Sequence, residues 1–214
     1  MSLISNNNLT ILSVSKIIQH VVMATVLVAS TSTAYANENK PAHAMDKETM
    51  MAMQKIMKSD MALMKPDLQK QVQGLSQQTK MQLMKILSGH TRRSKQLTLR
   101  QVMHEVLSDY QSIAAGLVTD NTEQAAASAR RLANHRLPVG GLIPYMSKTD
   151  VNDDRLASLV GFNDLVEGNA LRLAAAADKG DISEATSYLG KIAEGCVACH
   201  QVFRGQPGIS NRLR

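Results

Sequence analysis

Cys196 and Cys199 are the two cysteines of the chain, and His200 follows at once in the run Cys196-Val197-Ala198-Cys199-His200. C-x-x-C-H is the spacing that attaches a c-type haem. Two thiols three residues apart can reach the two vinyl groups on one edge of a porphyrin, and the next residue can then offer an imidazole to the iron. Three other chemistries use similar residues. A disulfide across three residues of a helix would be strained. A redox dithiol of thioredoxin type needs a βαβ context, and no strand pattern surrounds this motif. A zinc site needs a fourth ligand, usually from a second closely spaced Cys/His pair. The motif therefore reads as one covalently bound haem c, held by Cys196 and Cys199, with His200 as an iron ligand.

The elements that would position these residues are helical. Ile182, Ala185, Leu189, Ile192, Cys196, Cys199 and Phe203 recur at steps of three and four. They form one core-facing stripe that carries both thiols. Asp181, with Glu184 three residues on, is a fitting N-cap for that helix. Three more amphipathic helices precede it. The first spans about 95–118, with Leu99, Val102, Met103, Val106, Tyr110, Ile113 and Leu117 inward. The second spans about 121–134, with Asp120 as N-cap. The third spans about 153–177. Pro138, Gly140, Gly141 and Pro144 mark 135–152 as a long loop. Residues 205–214 read as a loose tail.

Upstream, residues 1–36 read as a secretory signal peptide, which implies a periplasmic protein. Lys16 gives a positive charge, an apolar stretch runs from Ile17 to Ala29, and Ala34-Tyr35-Ala36 is an A-x-A cleavage pattern. No later segment is apolar enough to cross a membrane. Residues 37–90 form a linker and a Met-rich helical extension, followed by the four-helix domain over 91–204. Met50, Met53, Met57, Met61 and Met64 share a helical face, and a second helix is expected between Pro66 and Gly89. A methionine stripe packs against an apolar surface. Thioethers also suit Cu(I), so His43 with Met45, Met50, Met53 and Met57 is the alternative reading.

Composition narrows the class. Aromatic residues are 3% of the chain with no Trp, while Ala, Leu, Met, Gln and Lys abound, which favours an all-α protein. The net charge of +6 is spread along the chain. It has neither the basic run nor the interleaved aromatics of a nucleic-acid surface, so no nucleic-acid partner is expected. A solvated basic face, or one that docks an acidic redox partner, is expected instead.

A C-terminal set of four helices with CVACHQVFR on the last one resembles the class II cytochromes c, cytochrome c′ and its low-spin relatives, over roughly 95–204. The resemblance implies an antiparallel up-down four-helix bundle. It also implies that Arg204, after Phe203, lies near the proximal side of the haem, and it implies a homodimer. In low-spin members a methionine of the first helix binds the iron. Met103 is the matching candidate, with Arg100 one turn before it facing a propionate. In cytochrome c′ an apolar side chain stands there and the iron is five-coordinate. His104, beside Met103, points away, and His135 reads as a surface or capping histidine. No array of acids, bases or nucleophiles accompanies the motif, so a non-enzymatic carrier of single electrons between partner proteins is expected. The alternative is a protein that binds NO or CO on five-coordinate iron. A subunit of a larger redox enzyme is a third reading.

Overall fold

Local capping sets most helix boundaries in the computed structural model, which describes residues 46–203 and 210–213. The expected signal peptide, His43, Met45 and Arg204 lie outside the described residues. Helix α1 (Lys47–Ala62) is capped by Asp46, whose carboxylate accepts the Thr49 N–H at 2.8 Å. Pro66 opens α2 (Pro66–Gln73), with extended Lys65 before it. The single helix expected between Pro66 and Gly89 is instead two, because α3 (Gln77–Ser88) has its own start. The Ser76 hydroxyl caps the Thr79 N–H, and the Ser76 N–H donates to Asp153 at 2.9 Å.

Helix α4 (Leu99–Val118) begins four residues later than periodicity predicts. Thr98 and Gln101 form a capping box, and the Ser94 hydroxyl holds the Gln96 and Leu97 N–H groups outside the helix. Helix α5 (Thr122–Ala133) is capped by Asn121 rather than Asp120. The Asn121 N–H reaches back to the Gly116 carbonyl at 2.8 Å, and Asp120 turns to a φ of 57° to permit it.

The 135–152 segment is a loop with 3-10 turns at Ile143–Tyr145 and Lys148–Asp150. The third long helix of the sequence reading arrives in pieces: α6 (Asp153–Ala157), α7 (Leu159–Asn163), a π-helical segment (Asp164–Gly168) and α8 (Asn169–Asp178). At the π-to-α junction the Asn169 amide donates to the Leu165 carbonyl at 2.8 Å. Helix α9 (Ile182–Val202) is capped by Asp181, as expected, and carries the whole motif.

The described residues are thus all-helical, with no strand and two isolated bridges, Met64 to Leu213 and Arg93 to Leu137. Among them no helix is long and apolar enough to cross a membrane. All fall in one compact unit with two apolar clusters. The first joins α4, α5, α8 and α9 through Ile113, Leu132, Leu173, Ile192 and many alanines. The alanines let backbones approach closely: a Cβ on Gly116 would stand 2.8 Å from the Ala125 nitrogen. Helix α4 packs along α5, α5 along α8 and α8 along α9, whereas α4 and α9 meet over a much shorter stretch.

The second cluster joins α2, α3, the loop and α6–α7 through Leu68, Val72, Leu83, Met146, Leu156 and Phe203. Met64 is buried in it and Met61 packs against it, while Met53 and Met57 are half-buried and Met50 is exposed, so cover over the methionine stripe grows toward its C-terminal end. The end of the chain is not loose where it is described. Ser210 and Arg212 are buried, the Lys65 N–H donates to the Arg212 carbonyl, and Arg212 Nη1 donates to the Met146 carbonyl at 2.8 Å.

Candidate functional site

Helix α9 delivers the motif to the seam between the two clusters. Cys196 borders the first and Cys199 the second, both half-buried and both free thiols. The expected stripe is largely realised: Ala185, Ile192 and Phe203 are buried, and Ile182, Leu189 and both cysteines are half-buried. The next helix neighbour on the other side is the π segment. Gly195 permits that contact, since a Cβ there would lie 2.9 Å from Leu165 Cβ and from Val166 Cγ2.

His200 is exposed, about 40° round the helix from Cys196 and one turn along. Ala193 and Val197 complete the same sector of about 100°. A shallow depression lined by Ala193, Glu194, Val197, Ala198 and Gln201 opens on the face of α9 turned away from Cys199. Two half-buried thiols three residues apart, with an imidazole on the next residue, are the donors that a covalently held haem needs. The short meeting of α4 with α9 fits the same reading. On α4, Met103 is half-buried, while Arg100 and His104 are exposed.

Electrostatics beside the thiols speak against a redox dithiol. Burial pushes the Cys199 thiol up to about 11, and the Glu167 carboxylate and Cys196 push in the same direction. Burial and then Glu167 also raise Cys196. A disulfide oxidoreductase needs its nucleophilic thiol lowered instead.

The same end of the protein gathers three side chains that sequence reasoning did not join. His90, buried after α3, packs at a tilt of 57° against His135, half-buried after α5, with ring centroids 4.5 Å apart. Glu167 of the π segment faces both: its Oε1 lies 3.3 Å from His135 Nε2 and 3.8 Å from His90 Nε2. Burial would raise the Glu167 carboxyl, but the His135 and His90 imidazoles beside it outweigh that and hold the group below the ordinary carboxylate range. His135 is therefore not the surface histidine its position suggests. The residues lie 45 and 32 positions apart along the chain, and no local pattern connects them. In comparison with known proteins, no family model, curated protein or solved structure matches the chain.

Proposed function

We propose that this protein is a monohaem c-type cytochrome of the class II kind that carries single electrons between partner proteins in the periplasm. The observation that carries the reading is the C-x-x-C-H run with two free, half-buried thiols where two apolar clusters meet. Cys196 and Cys199 would hold haem c as thioethers, and His200 would offer an imidazole to the iron. When bound, the haem supplies reversible one-electron chemistry. The chain's own part is to fix the edge of the group, shield it where the two apolar clusters meet and present a basic surface to an acidic partner.

The reading includes an antiparallel up-down bundle of α4, α5, the α6–α8 run and α9. Two pairs between α4 and α5, Asp109 with Arg131 and Ser112 with Ser128, and a third from Glu105 to Arg136 just beyond α5 support it. As numbers rise on one helix they fall on the other. Met103 would be the second iron ligand and Arg100 a propionate partner. A methionine and histidine ligand pair raises the reduction potential and suits electron transfer. By the resemblance, Arg204 would stand near the haem.

An optical spectrum of the exported protein tests this directly. Pigment that resists acid–acetone extraction, and a low-spin ferric spectrum with a weak near-infrared methionine–iron band that Met103→Ala abolishes, are expected. Extractable pigment or a colourless mature protein would overturn the haem assignment. A high-spin spectrum unchanged by Met103→Ala, with rapid CO binding after reduction, would transfer the protein to the gas-binding class.

A further inference from the structure

His90, His135 and Glu167 present three ligand atoms that all lie within 4.8 Å of one another. The tautomers follow from the second nitrogen of each ring. His90 Nδ1 lies 3.1 Å from the Ile86 carbonyl, and His135 Nδ1 lies 2.7 Å from the Arg136 carbonyl. A carbonyl oxygen only accepts, so each Nδ1 carries a hydrogen, and Nε2 is the ring atom that each histidine turns toward Glu167. His90, with a side chain 3% exposed, has no hydrogen-bond partner for its Nε2, and Glu167 Oε2 has none either. A buried imidazole nitrogen and a carboxylate oxygen thus lack partners beside a second imidazole, an arrangement that a divalent cation would satisfy.

The cluster is also held in place from outside. His90 satisfies one of the open carbonyls at the end of α3. Next to the histidines, Thr91 and Asn134 clamp the two segments with a pair of hydrogen bonds, Thr91 N–H to Asn134 Oδ1 at 2.9 Å and Asn134 Nδ2 to Thr91 Oγ1 at 2.8 Å. Glu167 rises from a π-helical turn, a distortion frequent at functional sites. Metal-bound histidines characteristically donate their other ring N–H to a carbonyl or carboxylate, as both do here. Donors at zinc distances of about 2.0–2.1 Å in a tetrahedron lie about 3.3–3.4 Å apart, close to the observed 3.3 and 3.8 Å.

We propose that His90, His135 and Glu167 form a binding site for a divalent first-row transition cation of the zinc type, separate from the residues assigned to haem. Two imidazoles and a carboxylate leave a coordination position for water or a small ligand. The site ties the loop after α3, the end of α5 and the π segment together beside the C-x-x-C-H helix.

The test uses the exported protein as purified, stripped with a chelator, loaded with Zn²⁺ alone and dialysed. Metal analysis should find one zinc per chain, and zinc-edge X-ray absorption should show a nitrogen and oxygen shell at about 2.0–2.1 Å without sulfur. Glu167→Gln and His90→Gln should each lose stoichiometric zinc while keeping the wild-type helical circular dichroism and visible spectrum. Wild type without stoichiometric zinc, zinc retained in both variants, or sulfur in the zinc shell overturns the site. So does a change of haem axial ligation in His90→Gln, which would give that imidazole to the iron. Colourless protein that still binds zinc as described would overturn the haem assignment alone.

Discussion

Gly195 and Gly190 lie on the same helix but in opposite surroundings, so alanine at each separates packing from propensity. Around Gly190 nothing lies within 4 Å of a new Cβ, whereas at Gly195 it would meet Leu165 Cβ and Val166 Cγ2 at 2.9 Å and the Leu165 carbonyl carbon at 3.1 Å. Relief to ordinary contact at 3.4 Å requires a shift of about 0.5 Å. Leu165 Cβ and its carbonyl carbon cannot rotate away, so α9 or the π segment must move as a body. Alanine in place of an interior helical glycine contributes about 1 kcal/mol. Overpacking costs about 1–3 kcal/mol. Gly190→Ala should therefore stabilise by about 1 kcal/mol, and Gly195→Ala should fall between neutral and about 2 kcal/mol destabilised. For a chain of this size each kcal/mol moves Tm by about 2–4 °C. Urea unfolding followed by circular dichroism at 222 nm, with the two variants side by side, reads the difference. If Gly195→Ala is as stable as Gly190→Ala, the close approach of α9 to the π segment is refuted.

Acid unfolding should report the link between α3 and α6. The hydroxyl of Thr79, then the N–H and hydroxyl of Ser76, hold the exposed Asp153 carboxyl below its ordinary value. A group depressed in the folded state stabilises above its unfolded pKa and loses that contribution as pH falls through the folded one. Asp153→Asn should therefore lose stability near neutrality and flatten the acid limb of a Tm-against-pH series; an unchanged limb would exclude Asp153 from it. Buried Arg212 should matter although it stands only two positions before the last residue of the sequence. Its Nη1 bond to Met146 and Nη2 bond to Gln71 at 3.2 Å predict that Arg212→Ala lowers unfolding stability by about 1.5–3 kcal/mol. A change under about 0.5 kcal/mol, the ordinary surface range, would contradict a docked C-terminus.

Local chemistry made much of this protein readable in one dimension. The C-x-x-C-H motif, the stripe of α9, the Asp181 cap and the Pro66 start are properties of neighbours within a turn or two, and helices obey such rules. Where boundaries moved, competition between adjacent caps moved them: Asn121 over Asp120, and Ser76 within a run that reads as one helix. The π segment could not be read, because a one-residue insertion into the helical ladder leaves the surrounding apolar spacing nearly intact.

What remained for the tertiary structure were the long-range meetings. His90 and His135 each sit just past a helix end, where a lone histidine reads as a cap, and Glu167 looks like one more charge on an amphipathic helix. Only the tertiary structure brings their three ligand atoms together. The segment around Arg212 is similar: its polar residues suggest a loose tail until Arg212 donates to the Met146 carbonyl, 66 positions away. Sequence alone determined that two thiols and an imidazole lie together near the end of one helix, since that depends on spacing along the chain. Burial, and the convergence of distant polar groups, depended on how the helices came together.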